Sequence, residues 1–248
     1  MGGAVYGEVD LTDDLLRVLK VAAKFALARG AEFPADVRVD MIKTGIFKTY
    51  EFFLGTIKRL VRDVYGGYIG GEFIDIMANL IQGQINQAYQ AAWNDEGTGG
   101  TLPAYLVSAA ESMIVNQFSF VDGFYRAAVD ARVDGTSIDP LLSRAELWAN
   151  QFNSAYNDAV LLIRVETGGN LQWREGDTLE KCPTCLGLDG IVMSAKEWEE
   201  LGVHPAGFPN DKLKCKGGHC LCSLSPTEQR RSPNAYASIM NIIVAGTL

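Results

Sequence analysis

Cys182-Pro-Thr-Cys185 and Cys215-Lys-Gly-Gly-His219-Cys220-Leu-Cys222 carry all five cysteines of this chain, and residues 1–181 carry none. The two runs are separated by 29 residues, 186–214. A C-x-x-C turn holds two thiols about one tetrahedral edge apart, and a second short cluster brought to it by a loop supplies the other donors a tetrahedral ion takes. The second run, C-x4-C-x-C, offers three thiols and the imidazole of His219 for the two remaining places. Cys182, Cys185, Cys215 and Cys220 are the expected set, with Cys222 and His219 as substitutes, and the local sequence leaves that choice open. The expected ion is a structural zinc, bound about 2.3 Å from each deprotonated sulfur. With more ligands than places, the site reads as closed and therefore structural rather than catalytic. Gly187, Gly190, Gly217 and Gly218 suit the tight turns of such knuckles.

Other uses of cysteine fit less well. A disulfide framework is at odds with an odd count and with 181 residues that lack cysteine. A thioredoxin-like C-x-x-C follows a strand and opens a helix, whereas Cys182 follows the polar run Glu175-Gly-Asp-Thr-Leu-Glu-Lys181. Scattered buried thiols would not cluster. His204 is expected in a Val203-His-Pro205 turn rather than on the metal.

Working outward, the flanks of this region differ in kind. Toward the N-terminus, apolar residues recur at helical spacing over Leu11–Arg29, with Thr12 as cap and Gly30 as stop, and again over Val37–Val64. Tyr65-Gly-Gly-Tyr-Ile-Gly-Gly71 breaks the pattern. Helices are then expected over Phe73–Trp93, Tyr105–Val133 and Leu141–Val165, separated by loops at 95–101 and 134–140. From Leu171 to Pro226 the periodicity fades, and the segment is too small to hold a core without a staple. The fold class expected is mainly α: a multi-helix body (1–167), a cysteine-rich, zinc-knuckle-like α+β module (168–226) and a C-terminal tail (227–248). The apolar end of that tail, Ile239–Leu248, reads as a strand or helix end packed on the body; a docking segment for a partner is the alternative.

Composition limits function. At 248 residues the chain can bury a sizeable core, and its net charge is −8. Within 171–226 the bases Arg174, Lys181, Lys196, Lys212, Lys214 and Lys216 face eight acids, so autonomous DNA binding is disfavoured. No basic n-region marks a signal peptide, and no apolar run of about 18 residues marks a membrane span. The glycines of 65–71 match no phosphate-loop pattern. Both histidines lie in the cysteine window, so His-based acid–base chemistry has little to draw on, and no enzyme is expected. Acids such as Asp75, Glu111 and Glu146 read as solvated faces or caps. Two alternatives remain: a zinc-ribbon nucleic-acid binder, and a zinc hydrolase using Asp189 or Glu180 as base.

One order of residues is more specific than its parts. Arg144-Ala-Glu146, then Asn150, Tyr156 and Asn157, then Trp173, Asp177, Cys182-Pro-Thr-Cys185, Leu188-Asp-Gly190, Trp198 and Cys215-x4-Cys220-x-Cys222 before Pro226 resembles the phage head morphogenesis proteins, the Mu F-like minor head proteins. The resemblance covers about 85 of the 248 residues. It departs from the family pattern at Ala145, where Thr is usual, at Leu221, where Arg is usual, and at Cys215, which stands near the place of a family histidine. It implies a minor capsid protein of a tailed bacteriophage that joins the portal protein and other capsid proteins during procapsid assembly in the host cytoplasm. It further implies a place in the virion, in the capsid interior near the portal, and contact with packaged DNA.

Overall fold

A computed structural model describes residues 46–97, 99–176, 182–205, 207, 210–217 and 220–247. The helix expected over 11–29, the start of that over 37–64, Asp177, Glu180 and His219 lie outside the described residues. What is described is mainly helical, with a small three-stranded sheet in the cysteine-rich region, as the fold class expected.

The body is built from α1 (Ile46–Tyr65), α2 (Glu72–Asp95), α3 (Ala104–Phe118), α4 (Val121–Asp134), α5 (Asp139–Ala149) and α6 (Gln151–Thr167). On α1, Phe53, Ile57, Leu60, Val61 and Val64 follow the 3–4 residue spacing of one helix face, and all five are buried. α1 lays that face mainly on α5, while α2 packs along α6. Phe73 of α2 meets Phe124 edge-on at 5.9 Å, and Phe124 stacks on Trp148 of α5 at 5.9 Å. Burying each such side chain stabilises the fold by about 1.5–3 kcal/mol. Two polar groups caught between helices are paired: Gln84 Nε2 donates to the Ala149 carbonyl at 2.6 Å, and Tyr89 donates its hydroxyl proton to Asp158. Glu146, expected on a solvated face, instead pairs with Lys58 at 2.7 Å.

Two expected helices are each divided. Tyr105–Val133 is α3 and α4, turning at Ser119-Phe120. There the Ser119 hydroxyl donates to the Asn116 carbonyl at 2.6 Å, the local competition with the helix ladder that serine offers. Leu141–Val165 is α5 and α6, and only Asn150 lies between them. Its backbone stays helical (φ −71°, ψ −8°), while its side chain reaches across to another segment.

After α6, Gly168 and Gly169 (φ 82° and 121°) turn the chain into β1 (Asn170–Arg174). Then follow α7 (Pro183–Leu188), β2 (Val192–Ser194), α8 (Ala195–Leu201), β3 (Ser223–Thr227) and α9 (Ala235–Thr247). β1 is central and antiparallel to both neighbours, with Leu171 opposite Met193 and Trp173 opposite Leu224. Trp173 packs on Trp198 of α8 at 5.7 Å, and the Trp198 ring N–H donates to the Leu171 carbonyl at 3.0 Å. Ser194 and Glu197 form a reciprocal capping box at the start of α8. The apolar tail is a helix, α9, which packs on α7, with Ile239 fully buried. One continuous apolar cluster runs from Phe53 of the body to Ile239 of the tail. Among the described residues, no helix is long and apolar enough to cross a membrane.

Candidate metal centre

Three short segments bring the sulfurs together. The first is the entry to α7. Cys182 is extended (φ −69°, ψ 124°), and the ring of Pro183, at the first helical position, fixes its own φ in the helical range. The helix begun there brings Cys185 back beside Cys182 one turn on, closed by Leu186 N–H to the Cys182 carbonyl at 2.9 Å. The second segment carries Cys215. Lys214 N–H donates to the Thr184 hydroxyl at 3.2 Å, which docks this turn against α7. Lys216 and Gly217 take left-handed φ of 52° and 80°. At Gly217 the requirement is also spatial, because a Cβ there would sit 2.4 Å from the Gly207 carbonyl oxygen. The turn aims the Gly217 N–H at the Cys215 sulfur.

The third segment, Cys220-Leu-Cys222, runs straight into β3. It is held by one face of α6. Asn150 and Asn153 donate to the Cys220 carbonyl at 3.1 and 3.2 Å, and Asn153 and Asn157 donate to the Cys222 carbonyl at 3.3 and 3.2 Å. Asn157 also accepts the Leu224 N–H at 2.9 Å. Three asparagines spaced i, i+3 and i+7 lie on one helical stripe, so they reach successive backbone groups of an extended chain. On its other side this chain crosses Gly176 so closely that a Cβ there would lie 2.3 Å from the Leu221 carbonyl carbon. Gly176 donates its N–H to the Cys222 sulfur at 3.4 Å.

The outcome is a group of five sulfurs that could hold a metal ion. Cys182, Cys185 and Cys215 lie within 4.8 Å of one another, as do Cys185, Cys220 and Cys222, so Cys185 belongs to both triads. Its sulfur is 3.8 Å from that of Cys215 and 3.9 Å from that of Cys220. Cys185, Cys220 and Cys222 are buried, and Cys182 and Cys215 are half-buried.

Charge within the cluster is divided. Thiol protons offered by Cys185 and Cys220, aided by the Gly217 N–H, hold Cys215 down to about 2. Contacts with Cys185 and Cys220, together with the Gly176 N–H, hold Cys222 low as well. Cys185 is pushed far up by its bonds to Cys215 and the other thiols, and by burial. Cys215 and Cys222 each receive a backbone N–H, which favours the thiolate form that a metal ion takes.

Every cysteine singled out from spacing is in this cluster. The asparagine clamp is only partly visible in the sequence: Asn150 and Asn157 stand in the family-like order, whereas Asn153 carried no signal apart from its helical register. Asp189 is not beside the sulfurs; its carboxylate caps the Glu175 N–H at 2.8 Å. His204 belongs to neither triad and lines a separate cavity with Asp158 and Lys212. No protein-family model, curated protein or solved structure matches this chain.

Proposed function

We propose that the chain is a minor head protein of a tailed bacteriophage, with a structural zinc at the five-cysteine centre. The observation that carries this reading is spatial. Part of the order that resembles the head morphogenesis family gathers in one packed unit, while Arg144 lies over Phe124 and Glu146 pairs with Lys58 in the helical body. Asn150 and Asn157 grip the C-x-C strand, Trp173 and Trp198 pack under it, Leu188 is buried, and Asp189 caps the turn beside α7.

The donor set fits zinc. Tetrahedral bonds of about 2.3 Å to sulfur place neighbouring sulfurs about 3.8 Å apart, which is the spacing at Cys185. All-sulfur donors in excess of four leave no coordination place for water, which favours a staple over a catalyst. Cys182, Cys185, Cys215 and Cys220 are our first assignment for the ion, with Cys222 as the competing fourth ligand. Zinc supplies no reaction in this reading. It ties α7, the 215–217 turn and the C-x-C strand together, and α6 carries that rigidity into the helical body, the surface we assign to the portal.

Two measurements test the proposal. Metal analysis with thiol titration on freshly purified protein should give one zinc per chain and thiols that react fully only after chelation. Co-expression with the portal and scaffolding proteins of its phage should place the chain in portal-containing particles on a density gradient. One zinc without particle association would keep the centre and reject the capsid role. A protein that instead binds DNA with a steep salt dependence would support the zinc-ribbon alternative.

A further inference from the structure

The five sulfurs do not form one tetrahedral group. Cys182, Cys185 and Cys215 lie within 4.8 Å of one another, and so do Cys185, Cys220 and Cys222, but among the described residues no four sulfurs do. The pattern is two triangles joined at one corner, and the corner is Cys185. Its sulfur is 3.8 Å from that of Cys215 in the first triangle and 3.9 Å from that of Cys220 in the second.

The local chain accounts for the two triangles. In the first, the start of α7 supplies the C-x-x-C pair, and the turn docked on the Thr184 hydroxyl supplies Cys215. In the second, the C-x-C strand held by α6 supplies Cys220 and Cys222, and Cys185 completes the set. The two differ in exposure: Cys182 and Cys215 are half-buried, whereas all three sulfurs of the second triangle are buried.

Bond length does not choose the ion, but coordination number does. With metal–sulfur bonds of about 2.3 Å, sulfurs lie about 3.8 Å apart round a tetrahedral ion and about 4.0 Å apart round a trigonal one, and both values suit the spacings at Cys185. A tetrahedral ion makes four sulfurs mutual neighbours, so one zinc has to draw members of both triangles together. A trigonal ion takes each triangle as it stands. Thiolates are soft donors, and the soft first-row ion satisfied by three of them is Cu(I). Two Cu(I) ions that share the Cys185 thiolate use all five cysteines, including the one a tetrahedral ion leaves over. Two monovalent ions also carry the same charge as one zinc. The thiols lose their protons to solvent on binding, and the copper stays Cu(I) throughout.

We infer that the five-cysteine centre also takes two Cu(I) ions in place of one zinc, one in each triangle, with Cys185 as the bridging ligand. The inference rests on the reading of these cysteines as a metal centre and is independent of the capsid reading.

An anaerobic titration of the full chain, as purified, with Cu(I) and with bicinchoninate as a coloured competitor tests it. The expected end point is two Cu(I) per chain, with release of any zinc the chain carries. X-ray absorption at that point should show three sulfurs round each copper and a copper–copper vector, the mark of a bridging thiolate. Cys182→Ser and Cys222→Ser each remove a corner of one triangle, so each should lower the end point from two to one. Cys185→Ser should remove the copper–copper vector. Circular dichroism checks that each variant is folded, and the end point and absorption spectrum of the unmutated chain keep the test decisive where a variant fails to fold. Saturation at one Cu(I), or at two without a copper–copper vector, would overturn the proposal. Zinc analysis of the purified chain separates it from the zinc reading. A chain isolated without zinc that binds two bridged Cu(I) rejects zinc and keeps the two triangles, whereas one zinc and a single Cu(I) does the reverse.

Discussion

Replacing Asn157 by Ala should loosen the cysteine centre without touching a sulfur. Asn157 is 1% exposed. Its side chain accepts the Leu224 N–H at 2.9 Å and donates to the Cys222 carbonyl at 3.2 Å. Truncation removes both bonds, along with the amide's donation to the Asn153 carbonyl at 2.8 Å on its own helix, but the two orphans on the strand are not equal. The Cys222 carbonyl keeps Asn153 at 3.3 Å, whereas the Leu224 N–H, in a residue 2% exposed, has no replacement acceptor in the clamp. Stranding one buried N–H costs about 1–3 kcal/mol, and losing one ordinary bond costs about 1 kcal/mol more. The expected total is about 2–4 kcal/mol. With a urea slope of about 2 kcal/mol per molar, the midpoint should fall by about 1–2 M. The signal to follow is near-ultraviolet circular dichroism, since Trp173 and Trp198 are packed together in this region. Metal release to a colorimetric chelator should speed up in parallel, because the C-x-C strand is no longer held to α6. Asn153→Ala, at a half-buried position whose carbonyl partners keep other donors, should cost about 1 kcal/mol or less. An Asn157→Ala protein with stability and metal release close to the parent would refute the clamp.

Three further outcomes follow from the geometry. Cys185→Ser should weaken metal binding more than Cys182→Ser or Cys222→Ser in a competition titration, because Cys185 belongs to both triads while a spare thiol can cover for an end member. Gly176→Ala should abolish the native packing of the cysteine strand, seen as loss of bound metal with most helical signal retained, since the new Cβ would lie 2.3 Å from a backbone carbon. The Arg231 guanidinium beside Glu197, with bonds from Ser194, holds that carboxyl at about 2. Its folded value is thus depressed, so its contribution is complete above about pH 4.5 and fades as pH falls toward 2. Melting temperatures of parent and Glu197→Gln should differ at pH 7 and converge near pH 2.

What could be read in advance followed from periodicity and ligand spacing. Phe73–Trp93 shows an apolar stripe whose register no tertiary contact disturbs, and the helix found, Glu72–Asp95, exceeds the expected ends by a residue or two. The breaks at Ser119-Phe120 and Asn150 were not legible. Each is decided by where one polar side chain finds its partner: Ser119 finds the Asn116 carbonyl nearby, and Asn150 finds the Cys220 carbonyl 70 residues away. The convergence of the sulfurs was legible because C-x-x-C and C-x-C fix distance locally. The clamp was less so, because an asparagine on a helix face looks the same whether it meets water or a strand.

The same contrast explains how so small a region keeps its shape. The described residues of 168–226 contribute most of a short sheet and two one- or two-turn helices, elements that are marginal alone. Two kinds of support act on different parts. The sulfurs draw together α7, the 215–217 turn and the C-x-C strand, while α6 holds that strand by its backbone. Cys220 and Cys222 belong to both systems: their side chains enter the cluster and their carbonyls enter the clamp. Strain introduced on either side is therefore felt on the other. An ion that tightens the sulfurs presses the strand onto α6, and a substitution on α6 that lets the strand drift opens the sulfur cluster. The coupling has a direction that experiment can read. Metal should raise the stability lost in Asn153→Ala more than that lost in a body variant such as Phe73→Leu, whose packing against Phe124 lies outside the clamp.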